Sequence, residues 1–515
     1  MDKIGMPSLP NSKTGSFIGN SSFLASYILF NLYFAIYALF SLKKKKAKLL
    51  FFNKSHDLYN AFLTIGILIM TLALMFSDGR AAIISFFGGL LLLFLLWWAL
   101  RIKKRKLRFL GKVMLSIFII SFLIIVSLLL TPNSRIQQKF GEVGGRARPM
   151  IWGEAWNAFL ERPILGWGPE TFIISSNRYF DSSLFLLGEY NHDRAHNIIF
   201  DNLLDAGILG LISYLSIFIS AFYLLWRSYS KKRINFWATA IPTVLILAHF
   251  TKNLSVFDMP SGYLMLIFLF LFISLTTSQE PKNNKVVIRN KKNHFIFPAI
   301  FLLLIMFVSS LYFFIQKPAS ANIGAAKVLR SKKYNKQAYK QALNSSWIGK
   351  YQIGVCIADS MVSMAKDKSR ELSLEEIRLI EKTMEQNIRS SRLDYYSHLF
   401  LGQIYNIHGF TFEKSKFNNA EKILRQAIIL SPTHPIAYWE LAKTKIYLGK
   451  NKEAVILAKK VIDLEPELLN AHVFLINLYR NISEDKAAEQ AIKKAIKIIP
   501  DIVTELEDFI NIQEL

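Results

Sequence analysis

Clusters of lysine and arginine follow every second long apolar run in this chain, and no other feature constrains its fold as tightly. Eight runs approach or exceed the roughly 20 residues needed to cross a bilayer: about 17–42, 58–77, 80–100, 111–131, 203–226, 236–252, 257–276 and 295–316. Lys43 to Lys48 follow the first. Arg101, Lys103, Lys104, Arg105, Lys106 and Arg108 follow the third. Arg227, Lys231, Lys232 and Arg233 follow the fifth, and Lys282, Lys285, Arg289, Lys291 and Lys292 follow the seventh. Basic connections stay on the cytoplasmic side, so the pattern places loop 132–202 and everything after the eighth run on the opposite face. Spans six and seven are the least sharply bounded, because Thr251-Lys252-Asn253 breaks the apolar run and Asp258 and Pro260 follow closely. The spans are otherwise expected to lack the buried charges that mark an ion or substrate path, which argues against a transporter.

Composition agrees. Of 515 residues 52% are hydrophobic and 14% aromatic, too apolar for a wholly soluble protein of this size. The net charge of +26 lies in the connections between apolar runs. It therefore reads as a topology signal, and no nucleic-acid partner is expected. Cys356 is the single cysteine, which excludes an intrachain disulfide and a cysteine-based metal site. The first residues, to about Thr14, are polar, and Lys43 to Lys46 follow the first apolar run where a cleavable signal would have small residues.

The last third carries a repeat. Pro432, Pro466 and Pro500 recur at a spacing of 34 residues, with Ala420, Ala454 and Ala488 twelve residues before each. Tyr438, Leu441, Ala442 and Gly449 fill the expected positions of the middle unit, and Leu401, Gly402 and Tyr405 mark an earlier one. This is the tetratricopeptide pattern: small residues where paired helices touch, and proline closing each unit. Residues 320–395 read as amphipathic helices and degenerate repeats. Such arrays present a concave surface, which either spaces the domain or binds a protein partner.

Loop 132–202 is too long for a simple connection between neighbouring spans, and loops of this length are usually functional. Trp152, Trp156 and Phe159 fall at helical spacing, so 150–160 is either an interfacial helix or a short packing helix. Gly166, Gly168 and Pro169 mark a tight turn. The loop ends in Asp193-Arg194-Ala195-His196-Asn197, which sets a candidate base and a cation beside a membrane. His192 and His196 are four apart, as in a helical metal pair, but no third ligand stands out and no metal is assigned.

Four motifs follow one another in this region: Arg148-Pro149-Met150-Ile151-Trp152, Pro163-Ile164-Leu165-Gly166-Trp167-Gly168-Pro169, Asp193-Arg194-Ala195-His196-Asn197 and Gly207-Ile208-Leu209-Gly210. Their order resembles the O-antigen ligase and polymerase superfamily of bacterial membrane proteins. Gly19-Asn20 resembles the family's motif opening a span, and Ser77-Asp78-Gly79-Arg80-Ala81 resembles its Ser-Arg-Gly-Ala motif with an Asp-Gly interruption. The resemblance covers roughly residues 15–275. It implies an inverting, membrane-embedded glycosyltransferase without a cofactor. The donor is a polyprenyl-pyrophosphate-linked glycan, and the acceptor is a hydroxyl of a lipid, a glycan or a protein serine or threonine, at the outer face of the bacterial cytoplasmic membrane. It also assigns roles. His196 matches the essential histidine; Arg148 and Arg80 match the arginines that hold the pyrophosphate, with Arg146 able to exchange roles with Arg148. Asp193 and Arg194 support the histidine or touch the sugar. Chemistry fits: histidine titrates near working pH, and the planar guanidinium grips two phosphate oxygens. For Arg80 the competing reading is a side chain that merely reaches the interface.

The expected architecture is all-α: a polytopic transmembrane helix bundle plus a C-terminal tetratricopeptide α-solenoid. N-terminal spans fill 1–131, the catalytic loop 132–202, further spans 203–316, and the repeats 320–515, clearest over 396–503. Two alternatives stand beside a ligase: a polymerase that joins repeat units on the carrier, and a non-catalytic scaffold presenting the repeats. Relatives usually carry several more spans before the Gly-Asn motif, so a fragment, a misplaced start or a shortened member is expected. The topology has a direct check. With Cys356 replaced and single cysteines placed at Ser183 and Ser331, a membrane-impermeant thiol reagent should label both sites in intact spheroplasts; labelling of one alone would overturn the shared face.

Overall fold

A computed structural model describes residues 21–41, 56–77, 79–131, 134–189, 192–278, 296–331, 333–367 and 369–500. The Gly19-Asn20 motif, Asp78 and the basic stretches 43–48 and 282–292 lie outside the described residues. The described chain is helical, and it divides into two compact units.

The first unit takes residues 1–172 and 192–287. Its long helices are Ser21–Ser41, His56–Met75, Arg80–Arg101, Arg105–Leu130, Ile198–Ser230, Phe236–Asn253 and Pro260–Thr277. Across the described chain seven helices are long and apolar enough to cross a membrane, the last being Phe301–Arg330. Phe236–Asn253, expected as a span, is present as a helix but is not among the seven. It forms much of the core instead: Ala240, Ile241, Val244, Leu245 and Ile246 are buried against Leu29, Tyr33, Phe86 and Leu269. Tyr33 crosses to the Arg80–Arg101 helix and donates its hydroxyl to the Phe86 carbonyl at 3.0 Å. The Arg105–Leu130 helix presents Ile117, Ile120, Leu123 and Ile124 outward. A helix apolar on its outer face suits hydrocarbon and would be poorly solvated by water.

Ring contacts define two ends of this bundle. At one end Phe40 stacks on Trp237 at 4.4 Å and Tyr229 meets Phe236 at 6.4 Å, beside the basic Arg227–Arg233 turn. At the other, a Cβ on Gly79 would lie 2.3 Å from that of Ala25, and Phe23 meets Phe257 at 5.5 Å. The absence of charge expected of the spans does not hold. Lys252 reaches Asp258 at 2.9 Å, His249 reaches it at 3.1 Å, and Asn253 donates to it at 2.7 Å, with Lys252 and Asp258 side chains at most 2% exposed. These polar residues flank the short link between two helices, where sequence shows only a break. Their pairing is what makes burial tolerable.

The second unit takes residues 288–515 together with 173–191. Its helices pair antiparallel as Lys317–Arg330 with Lys336–Asn344, Lys350–Lys366 with Leu374–Ser390, Tyr395–Thr411 with Lys416–Leu430, Pro435–Tyr447 with Asn451–Leu464, and Leu469–Asn481 with Asp485–Ile498. Residues 320–395 thus form helix pairs as well. Ala420, Ala454 and Ala488 are buried at the helix crossings. A Cβ on Gly402 would sit 2.5 Å from the Leu424 side chain, so the small residue sets how closely that pair packs. Asp394 and His434 cap the first helices of two neighbouring pairs, Tyr395–Thr411 and Pro435–Tyr447.

Candidate active site

The site is built outward from one indole. Trp152 lies in the Ala147–Glu161 helix and is 1% exposed. Its ring stacks between Phe140 at 5.6 Å and Phe200 at 5.9 Å, and its Nε1–H donates to the Ala195 carbonyl at 2.8 Å. Of the two readings of 150–160, the packing helix holds for Trp152, which is core; Trp156 is 40% exposed. Two residues on, the Glu154 carboxylate meets His192 Nε2 at 2.7 Å, both buried. The Ala195 N–H donates to Asp201 at 2.9 Å, and Asn197 caps the next helix by accepting from the Ile199 N–H at 3.0 Å. Residues 192–197 are therefore held from both sides without being helical, so His192 and His196 do not share a helix face.

This hold imposes a cost at His196. Its φ is +53°, in the left-handed region that L side chains adopt at some expense. The half-buried imidazole meets Phe257 at 5.1 Å, and the Arg194 guanidinium lies 5.3 Å from the same ring while pairing with Glu170. Burial pushes the His196 pKa down to about 4, and among the charges acting on it Arg148 lowers it most, with Asp193 raising it. Arg148 itself lies 5.8 Å from Phe140, the ring stacked on Trp152. One aromatic stack therefore places both the histidine and the arginine.

The structure brings His196, Arg148, Asp193 and Arg194 together. Arg146 is exposed just before the Ala147–Glu161 helix. Arg80 opens the Arg80–Arg101 helix, exposed, at the bundle end marked by Gly79 and Phe257, but it is not among the charges acting most on His196. Several residues escaped sequence reasoning. Glu154 and Phe257 are two. Asp201 Oδ2 and Asn197 Nδ2 are others: both atoms are buried with no hydrogen-bond partner among the described residues. The signal for Phe257 was the polar break around it; for Glu154 there was none beyond one carboxylate on a packing helix.

The glycine motifs have a backbone explanation. Gly207 adopts φ +65° and ψ −163° inside the Ile198–Ser230 helix and breaks it. The freed groups find partners in the 163–168 turn: Trp167 N–H donates to Leu204 O at 2.7 Å, Gly168 N–H to Asp205 O at 3.0 Å, and Ile208 N–H to Pro163 O at 2.8 Å. At the edge of a membrane such groups cannot be left unpaired. The approach is so close that a Cβ on Gly166 would lie 2.4 Å from Leu204 O, and one on Gly207 2.2 Å from Ile164 O.

The O-antigen ligase family model matches residues 65–215, a stretch that includes Arg80, Arg148 and His196. Over these residues the chain is similar to the O-antigen ligase family. A stretch of 89 residues is 30% identical to the Protein STIP1 homolog of Dictyostelium discoideum, covering 17% of this chain and 16% of that protein. Among solved structures, one titled "Crystal structure of MamA protein" is 16% identical, with 35% of this chain and 91% of that one covered at a TM-score of 0.27. A second, "MamA MSR-1 C2", is 15% identical, with 37% and 97% covered at 0.25.

The interlock of Gly166 and Gly207 predicts a sharp contrast between glycines. Gly207→Ala should lose on the order of 1–3 kcal/mol from the backbone conformation alone, with the clash against Ile164 added. Gly153→Ala, whose Cβ meets nothing within 4 Å in a regular helix, should be neutral or stabilising. Thermal unfolding in detergent checks this; equal midpoints for the two variants would refute the interlock.

Proposed function

We propose that this multi-pass membrane protein transfers a glycan from a polyprenyl-pyrophosphate carrier to an acceptor hydroxyl at the outer face of the bacterial cytoplasmic membrane. The observation that carries the reading is the placement of a neutral histidine beside Arg148 and Arg194, within the O-antigen ligase domain and at the end of an apolar bundle away from the Arg227–Arg233 turn. The acceptor oxygen attacks the anomeric carbon, and the bond from that carbon to the pyrophosphate oxygen breaks with inversion. The carrier leaves as its pyrophosphate, and the hydroxyl proton passes to the His196 imidazole. Arg148 holds the leaving pyrophosphate, with Arg80 reaching it from the neighbouring helix start and Arg146 beside it. Asp193 and Arg194 orient the histidine or meet the sugar.

The depressed pKa of His196 fits this scheme. Neutral imidazole is available across working pH, yet a base this weak takes a proton reluctantly. Bound pyrophosphate would offset the charge of Arg148, the charge that lowers the pKa most, and so strengthen the base when the donor is in place. A polymerase uses the same chemistry with a carrier-linked glycan as acceptor, and product size separates it: one transfer en bloc, or a ladder. A scaffold reading leaves the convergence of His196 and Arg148 without a purpose.

His196→Ala should reduce transfer by about 10²–10⁴-fold while the protein remains in the membrane. In the native protein kcat/KM should fall only as pH drops through about 4, not through the usual imidazole range, because protonation removes the base. Transfer at the native rate by the alanine variant would remove His196 from the mechanism.

Arg148→Lys should impair transfer far more than conserved charge suggests, since lysine loses the planar fork. The assay is transfer from a polyprenyl-pyrophosphate glycan in proteoliposomes with chelator present. Full activity of the lysine variant would count against a pyrophosphate-holding role.

A further inference from the structure

Residues 173–191 interrupt the ligase-domain loop, yet they belong to the repeat unit. The chain leaves the first unit at Phe172 and returns at His192, and those two rings meet edge to face at 5.9 Å. Between them the segment lies along consecutive turns that join one repeat to the next. At the turn before Pro435, Ser431 donates its hydroxyl to the Asn177 carbonyl, and Thr433 donates to the Phe180 carbonyl at 2.6 Å. At the following turn the roles reverse, and Ser182 donates to the Leu464 carbonyl at 2.6 Å. Phe180 is 2% exposed and stacks on His434 at 4.1 Å, which in turn meets Tyr395 at 4.6 Å. Phe185 packs against the Ala454–Tyr479 core and Ile173 against the core of the earlier repeats. Ser175, Ser176 and Leu184 are at most 1% exposed.

We propose that the turn edge of the solenoid is a binding surface whose ligand is segment 173–191 of the same chain, and that this grip positions the His192–His196 stretch. The recognition has the form expected of a peptide site: side-chain hydroxyls bind main-chain carbonyls, and one aromatic residue enters a ring-lined pocket. The segment ends directly before His192, which Glu154 holds at the start of the 192–197 stretch. Pinning it shortens the free part of a long loop and lowers the entropy lost on ordering what remains. The positioning role rests on the glycan-transfer reading above; the binding does not.

The test uses the full chain in detergent or nanodiscs, with hydrogen–deuterium exchange as the readout. Phe180→Ala and Thr433→Val should each raise exchange across 173–189 at least tenfold, while 395–480 stays protected. Phe180→Trp, which keeps a ring, should retain most of the protection. Unchanged exchange across the segment in Phe180→Ala, with the solenoid intact, would overturn the binding. Should Thr433→Val loosen the solenoid itself, the Phe180 pair decides, because its change lies on the ligand side. Transfer should fall at least tenfold in kcat in Phe180→Ala. If exchange rises and transfer is unaltered, the positioning role is overturned and the binding stands.

Discussion

The hydrogen bond from the Trp152 indole to the Ala195 carbonyl is the contact on which the candidate site depends. It joins the two parts of the loop that carry functional groups: the helix led by Arg148 and the irregular stretch ending in His196. The indole is buried between two rings, so its N–H has no water to turn to, and losing the carbonyl would strand it. The same carbonyl fixes the residue before His196, whose left-handed backbone needs such support. A strained histidine persists only where its surroundings determine it more strongly than its own preference. Here the Ala195 N–H, the Ala195 carbonyl and the Asn197 cap all do so.

Much of the fold was legible in the sequence because it rests on periodic patterns. Alternating basic clusters and apolar runs located the spans, and the 34-residue recurrence of Pro432, Pro466 and Pro500 located the solenoid. Both signals come from many residues obeying one constraint. The Phe236–Asn253 helix was harder. Its residues serve burial inside the bundle, so its hydropathy is diluted by Thr239, Thr243, His249 and Lys252, each compensated by a protein partner. The pairing of Lys252 with Asp258 depends on a chain reversal that no local pattern encodes. It overturned the expectation of uncharged spans.

The site was legible in its motifs and opaque in its supports. His196, Arg148, Asp193 and Arg194 come together as their order suggested. Glu154 and Phe257 do not stand out, because a single residue on a packing surface leaves no periodic trace; Trp152 reads as a helix and motif residue, but its bond to Ala195 does not. The glycines are an instructive middle case. Gly166 and Gly207 read as turn and motif residues, but their shared role, letting two backbones exchange hydrogen bonds across a broken helix, requires both segments at once. The captured segment 173–191 is the extreme case: its partners lie more than 250 residues away.

The electrostatics of the site follow from which charges are already matched. Lys252 is offset by Asp258, buried a helix end away, and Arg194 by Glu170 at the protein surface. Paired charges of this kind present dipoles to their surroundings, and dipole fields fall off faster than those of single ions. Arg148 is held against the face of Phe140, and a ring face carries no net charge. After burial, Arg148 is the charge that lowers the His196 pKa most. Arg148 and Arg194 thus act as cations on the same imidazole. On the proposed glycan-transfer reading, a lipid-anchored pyrophosphate is drawn to these cations, and a neutral sugar hydroxyl approaches the imidazole without competing for the arginine. On that reading donor and acceptor are sorted by charge before any contact with the sugars themselves.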